Sequence, residues 1–237
     1  RRGGFGVPPH RKPTRLLAGR RTVVAADREL GPFPKDAPAT VVSTDAWILG
    51  EPQAAMDAKL DDFLRAGPPP IYVGPGSMVA KPGLSTAAHV AAAARALGCR
   101  LIVAGGWARI DRGVDVSDSV MIVREAQHQA LFPHVKAVIH HGGAGTTTAA
   151  ARAGVPQLIL PHILDQYYWA HRVELLGLGP RALPIEQITT KRLTSRCREL
   201  IEYVGYGVNA RALAARMVAR DGVADAASIL EQLVKES

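Results

Sequence analysis

The chain has 237 residues, 47% of them hydrophobic, which suits one large or two small globular domains and excludes a disordered chain. Its formal net charge of +8 comes almost wholly from residues 1–21, which hold seven basic and no acidic residues and leave 22 basic against 21 acidic residues elsewhere. Because the excess is confined to one end and no binding motif accompanies it, we expect no nucleic-acid partner. A solvated charge run is the favoured interpretation, with peripheral contact to anionic lipid left open.

Cysteine usage and hydropathy favour a cytoplasmic protein. Cys99 and Cys197 form neither a CxxC pair nor a disulfide framework. No apolar run approaches the roughly 20 residues of a transmembrane helix, and no signal-peptide pattern opens the chain. We therefore expect a cytoplasmic location, with membrane association left open by the basic segment.

The first 50 residues are predicted to be irregular, because prolines punctuate them and only residues 21–27 read as a short strand. The opening residue is Arg, and the stretch reads as the continuation of a longer protein. We predict two parts: a domain remnant with a linker over residues 1–50, and one larger domain over residues 51–237.

From residue 70 onward, short apolar runs alternate with Ala-rich and Leu-rich helical stretches. The predicted strands cover residues 71–74, 100–105, 119–123, 135–140 and 156–161. The predicted helices cover residues 84–97, 128–132, 146–154 and 165–177, followed by three helices after Thr189 and Thr190 that are separated at 205–207 and 221–225. Nearly continuous apolar strands separated by helices predict an α/β fold, a Rossmann-like parallel sheet with helices on both faces.

The strongest local motif is His140-His141-Gly142-Gly143-Ala144-Gly145-Thr146-Thr147, between a predicted buried strand and a predicted helix. Such a loop lies at the carboxyl edge of a parallel sheet, where ligands bind. Glycines let the backbone approach an anion closely, and the free N–H groups of the helix start point at it. The helix field contributes only about 0.3 to 2 kcal/mol, so the Thr146 and Thr147 hydroxyls and a His donor are expected to add to it.

The simpler alternative is a tight turn with a core histidine. Two adjacent histidines and two threonines favour diphosphate binding instead. The motif is neither a Walker A loop nor a GxGxxG fingerprint.

Two weaker turns belong to the same predicted edge. Gly74-Pro75-Gly76-Ser77 follows the first strand and would bring the Ser77 hydroxyl there, although this is ordinary turn chemistry. Asp165-Gln166 follows the strand at 156–161, with Asp165 as the expected helix N-cap. The Asp-Gln pair has the donors and acceptors needed to hold sugar hydroxyls.

Together these segments resemble the family-1 nucleotide-sugar glycosyltransferases of the GT-B fold, which include plant natural-product, sterol and bacterial glycopeptide and macrolide enzymes. In that signature a His opens the diphosphate loop and an Asp-Gln pair follows 24 positions later, which is the spacing of His141 and Asp165-Gln166. The resemblance covers about residues 43–220 and is strongest to the bacterial glycopeptide and sterol branch.

The resemblance implies the C-terminal, donor-binding domain of a GT-B fold, preceded over residues 1–50 by part of the N-terminal acceptor domain and the linker. It assigns the donor diphosphate, base and sugar to three groups of residues. These are Ser77, His141, Gly143, Ala144, Gly145 and Thr146 for the diphosphate; Trp107, Arg124, Ala126 and His128 for the base; and Asp165 and Gln166 for the sugar. From the residues alone, Trp107 is equally well a core aromatic, and His128 a surface helix residue.

Three positions depart from the family pattern. Ala149 stands where plant members have a ribose-binding Glu, Arg124 stands where they have a base-stacking Trp, and Pro75 replaces an aromatic residue in the first glycine turn. The ribose and base contacts are therefore the least constrained part of the assignment.

The implied activity is inverting, metal-independent transfer of a sugar from a UDP-type or dTDP-type donor to a hydroxyl of a natural-product, lipid or sterol acceptor, with no cofactor. The catalytic base is expected in the N-terminal domain, so we assign none here and expect little activity from the chain alone. The alternatives are a sugar-nucleotide-binding fragment without activity and a GT-B-like sugar-nucleotide epimerase.

Overall fold

The computed structural model describes residues 22–34, 36–48, 56–74, 86–105, 114–124 and 126–235. Internal contacts divide these residues into two compact units. The smaller unit takes in residues 22–28, 32–34, 36–48 and 221–235, and the larger takes in residues 29–31 and the described residues from 56 to 220. The predicted division at residue 50 stays a prediction, and the contacts group the last helix with residues 22–48.

The larger unit contains a parallel five-stranded sheet, which confirms the predicted fold class. Two strands of the smaller unit precede it, β1 (Thr22–Val24) and β2 (Val41–Ser43). The sheet strands are β3 (Ile71–Gly74), β4 (Leu101–Ala104), β5 (Val120–Val123), β6 (Ala137–His140) and β7 (Gln157–Ile159). Their order across the sheet is β5-β4-β3-β6-β7, and every neighbouring pair is parallel.

Helices cover both faces of this sheet. They are α1 (Ala58–Arg65), α2 (Thr86–Ala96), α3 (His128–Leu131), α4 (Ala144–Arg152), α5 (Gln166–Leu175), α6 (Thr190–Glu202) and α7 (Val204–Met217). Successive strand residues point to opposite faces, so Ile71 and Val73 join a core with α2 and α6, while Tyr72 joins a core with α1, α3 and α4. This double burial explains why the strands read as nearly continuous apolar runs.

The strand order creates a switch point at the centre of the sheet. The chain runs outward from β3 to β5 on one side and then returns to β6 on the other side of β3. Gly74 at the end of β3 is paired in register with His140 at the end of β6. In open α/β sheets, ligands bind in the crevice outside the carboxyl ends of the strands at such a point.

Several predicted boundaries were wrong. Helix α4 begins at Ala144, two residues before the predicted start. Helices α6 and α7 are separated at Tyr203, whose extended backbone breaks the helix, so the glycines at 205–207 lie inside α7. Helix α1 and strand β2 were not predicted, because prolines flank both segments.

The smaller unit pairs β1 with β2 in parallel and adds helix α8 (Gly222–Lys235). The buried Asp45 accepts hydrogen bonds from the Arg28 backbone N–H at 3.0 Å and from its guanidinium at 2.8 Å. Asp221 caps α8 by accepting from the N–H groups of Val223 and Ala224. Among all the described residues, no helix is long and apolar enough to cross a membrane.

Candidate functional site

The turn after β6 is built around His140, which is 2% exposed. Its Nδ1 accepts a hydrogen bond from the Gly142 N–H at 3.1 Å, and its Nε2 lies 2.9 Å from Oε1 of Gln157. Because Gln157 Oε1 can only accept, the proton sits on Nε2. Burial lowers the His140 pKa to about 3, so the ring is neutral and serves the turn itself.

His141 has a different environment, although it is also a buried side chain. Its Nδ1 is shielded from solvent and has no hydrogen-bond partner in the described part of the chain. Burial and then the neighbouring His162 lower its pKa, while Asp165 opposes them. A buried ring nitrogen without a hydrogen-bond partner is uncommon in proteins, and it distinguishes His141 from the structural His140.

Two glycines are required in this turn for different reasons. Gly142 has φ +93, and a Cβ there would lie 2.6 Å from Cγ2 of Ile159. Gly143 has an ordinary φ of −65, but a Cβ there would collide with Nε2 of the His141 ring. The first glycine therefore permits the turn, and the second leaves room for the imidazole beside the helix start.

The N-terminus of α4 is open to solvent. Gly143 is its N-cap, no side chain caps it, and Ala144 and Gly145 are exposed. The N–H groups of the first turn have no acceptor within the helix, so they are available to an anion. Thr146 is half-buried in this turn and adds a hydroxyl to the same end.

Thr147 does not contribute as expected. Its side chain is wholly buried and its hydroxyl donates to the Gly143 carbonyl oxygen at 2.9 Å. The geometry explains the difference, because the earlier helix start turns Thr147 toward the core.

The Asp165-Gln166 pair lies at the start of α5. Oε1 of the buried Gln166 accepts from the N–H groups of His162 at 2.7 Å and Ile163 at 3.2 Å, so its amide is held in one orientation. Asp165 occupies the N-cap position without a side-chain cap bond, and its exposed carboxylate instead accepts from the Trp169 indole at 3.2 Å. A Cβ at Gly142 would lie 3.1 Å from the Gln166 carbonyl oxygen, so the two motifs are in contact.

The described residues of the segment expected to frame the nucleotide base have different environments. Arg124 is exposed and Ala126 is half-buried. The His128 ring stacks on Phe132 with centroids 4.5 Å apart, and its Nε2 lies 3.1 Å from the Tyr72 hydroxyl. Burial raises the Tyr72 pKa and lowers that of His128, so this hydrogen bond joins two neutral groups. The His128 side chain therefore belongs to an aromatic cluster and is not free on the surface.

Ser77 and Trp107 lie outside the described residues. Gly74, which ends β3 beside His140, is the last described residue before Ser77. The structure thus brings together the loop at 141–146 and the Asp165-Gln166 pair, and the roles of Ser77 and Trp107 stay predictions.

Sequence reasoning missed Gln157. This wholly buried residue joins His140 to α4, because its Nε2 donates to the Thr147 carbonyl oxygen at 3.2 Å. The available signal was an amide side chain inside an apolar strand, which requires a polar partner in the core.

The fold and this loop together define the α/β domain that GT-B glycosyltransferases carry as their C-terminal half. Residues 101–233 match the family described as "Erythromycin biosynthesis protein CIII-like, C-terminal domain", and the chain belongs to that family. The family resemblance predicted from His141 and Asp165-Gln166 is confirmed.

Two named glycosyltransferases are similar in sequence to this chain. Vancomycin aglycone glucosyltransferase from Amycolatopsis orientalis is 46% identical over 180 residues, which are 75% of this chain and 42% of that protein. O-mycaminosyltylonolide 6-deoxyallosyltransferase from Streptomyces fradiae is 32% identical over 235 residues, which are 98% of this chain and 54% of that protein. The chain spans about half the length of the curated relatives it matches.

A solved structure supports the same fold. The spinosyn rhamnosyltransferase SpnG complexed with thymidine diphosphate matches with a TM-score of 0.71 and 22% identity, covering 88% of this chain and 56% of that one. At this level of identity the likeness shows the fold alone.

Proposed function

We propose that the chain is the donor-binding part of a glycosyltransferase that uses a dTDP-activated or UDP-activated sugar. The observation that carries the proposal is the open N-terminus of α4 beside the His141 ring, whose Nδ1 has no partner among the described residues, at the switch point of the parallel sheet. The names of the relatives and the thymidine diphosphate bound to a protein of the same fold support it.

The diphosphate would lie against the first turn of α4. Backbone N–H groups of residues 143–146 and the Thr146 hydroxyl supply hydrogen-bond donors. The neutral imidazole of His141 adds a further hydrogen bond. Ser77 would add a hydroxyl from the end of β3. The base would pack near Trp107, Arg124, Ala126 and His128.

The donor sugar would meet the Asp165-Gln166 pair. Because Gln166 Oε1 is fully used by two backbone N–H groups, its Nε2 is the group left to donate to a sugar hydroxyl. The Asp165 carboxylate accepts from a second hydroxyl while Trp169 holds it in place.

The reaction we propose is an in-line displacement. The acceptor hydroxyl oxygen forms a bond to the anomeric carbon as the bond from that carbon to the diphosphate oxygen breaks, so the configuration inverts. The leaving diphosphate gains negative charge, which the α4 amides and His141 stabilise without a metal ion. The acceptor would be a hydroxyl-bearing natural product, lipid or sterol. Its hydroxyl proton would pass to a base in the N-terminal domain, and we assign no catalytic base to this chain.

Calorimetric titration with dTDP and UDP tests the donor site. We expect one nucleoside diphosphate to bind with or without EDTA, and His141→Ala to weaken binding by about tenfold or more, the usual value of a hydrogen bond to a charged group. His134→Ala is the matched control, because His134 is exposed in the turn after α3. Equal affinities of His141→Ala and wild type would contradict the proposal.

Binding without transfer is the second candidate, because the chain covers only 42% of its glucosyltransferase relative. A transfer assay with a hydroxyl acceptor, run beside the titration, separates the two. Product formation supports the complete activity, and tight binding without product supports a donor-binding part alone.

A further inference from the structure

A second cleft lies beside α5. Its volume is 590 Å³, within the usual range for small-molecule sites, and its walls are α5, α6 and the segment at 181–187. That segment covers the outer edge of β7, since Leu183 and Ile185 donate to the carbonyl oxygens of Ile159 and Pro161 at 3.1 Å. The residues of the loop at 141–146 do not line this cleft.

The cleft is strongly basic. Arg181, Arg192 and Arg196 line it against one acidic residue, Glu174. Arg196 is paired with Glu199 at 2.9 Å. Within the described residues, neither Arg181 nor Arg192 forms a salt bridge, and both are exposed. Two guanidinium groups are therefore available to an anion, and each can form paired hydrogen bonds to a phosphate.

The N-terminus of α6 adds to this positive field. Thr189 caps the helix by accepting from the Arg192 N–H at 3.3 Å. Arg192, Ser195 and Arg196 in the first two turns line the cleft. The positive end of the helix dipole and the arginine side chains thus favour the same negatively charged ligand.

The other part of the cleft wall is apolar. Pro161, Leu183 and Pro184 contribute it together with Ala170, and the half-exposed Tyr167 ring stands at its side. The lining residues of α5 are Tyr167, Ala170, His171 and Glu174, and they include neither Asp165 nor Gln166. The cleft is therefore separate from the side chains assigned to the donor sugar.

We infer that this cleft is a binding site for a small organic phosphate monoester, whose phosphate is held by Arg181 and Arg192 and whose apolar group packs on Pro161, Leu183 and Pro184. The inference does not depend on the proposed donor site. The two arginines give the site its preference for a negatively charged group. The apolar wall makes an organic phosphate bind better than inorganic phosphate.

The test uses phenyl phosphate as the probe and the chain saturated with dTDP, so that the donor site is occupied. Calorimetric titration is expected to show one phenyl phosphate bound. Arg181→Ala and Arg192→Ala should each weaken that binding about fivefold, as expected for an exposed charge pair, and the double variant should lose it. Arg198→Ala is the matched control, since Arg198 is exposed on α6 and pairs with Glu202 instead of lining the cleft.

Two further probes test the phosphate contact and the apolar contact separately. Inorganic phosphate should bind more weakly than phenyl phosphate, and benzyl alcohol should not bind. His141→Ala should keep phenyl phosphate binding while its dTDP binding weakens by about tenfold or more, which separates this site from the donor site. Unchanged affinity in the folded double arginine variant, or equal binding of inorganic phosphate, would overturn the inference.

Discussion

The adjacent residues His140 and His141 have different environments in this domain. His140 uses both ring nitrogens inside the protein, on Gly142 and Gln157, whereas Nδ1 of His141 has no hydrogen-bond partner among the described residues. The sequence predicted one diphosphate-binding His from the motif and assigned it to His141. The structural role of His140 could not be predicted, because its partner Gln157 is 17 positions away and meets it only through strand pairing.

The first prediction concerns stability against pH. Burial lowers the His140 pKa from 6.5 to about 3, so between these values the unfolded chain binds a proton that the folded chain does not. The stability contributed by this group is fully present above pH 6.5 and is lost as pH falls toward 3, by at most about 1.4 kcal/mol per pH unit. Urea unfolding at steps from pH 7 to pH 4 measures this slope.

His140→Asn should show a shallower slope. Its amide oxygen can accept from the Gly142 N–H as Nδ1 does, but it does not titrate. The exposed His134→Ala should retain the wild-type slope. If the Asn variant kept the full pH dependence, another group would be responsible.

At the scale of elements, the turn between β6 and α4 places the N-terminus of α4 at the crevice outside the carboxyl ends of the strands. The position of this turn was predicted from the change between an apolar run and an Ala-rich run, and that part of the site needed no tertiary information. The helix start was misplaced by two residues, because the N-cap residue Gly143 has no side chain to mark it.

The second prediction tests the backbone of this turn. Gly142→Ala should lower the free energy of unfolding by about 2 kcal/mol or more, since a left-handed residue and a Cβ 2.6 Å from Ile159 must both be accommodated. Gly145→Ala is the comparison for stability alone, because a Cβ there meets nothing within 4 Å and Ala favours a helix. Thermal and urea unfolding measure both, and equal stabilities would refute the strain at Gly142.

At the scale of the whole molecule, the described residues form two compact units, each with its own internal contacts. The larger unit closes its two-sided core within residues 29–31 and 56–220. The smaller unit joins the ends of the chain's described part, and its contacts with α8 are close: a Cβ at Gly222 would lie 2.7 Å from the carbonyl oxygens of Asp45 and Ala46. The packing of α8 on residues 44–46 could not be predicted, because local patterns carry no information about which distant segment a helix packs on.

The third prediction follows from that contact. Gly222→Ala should increase amide exchange across residues 222–235, although Ala is the better helix former, because the added methyl displaces α8 from residues 44–46. Ser228→Ala on an exposed position of the same helix should leave exchange unchanged. Hydrogen exchange read by mass spectrometry distinguishes the two, and wild-type protection in the Gly222 variant would show that the contact is not required.

The sequence by itself determined the α/β class, the alternation of strands and helices from residue 70 onward, the family and the two motifs on which the proposed donor site rests, because each depends on residues close together in the chain. Only the tertiary structure decided which histidine is structural, that Thr147 points inward, that His128 joins an aromatic cluster, and that arginines from α6 and the segment at 181–187 share one cleft. These outcomes depend on burial and on contacts between distant segments, which the local pattern of residues does not specify.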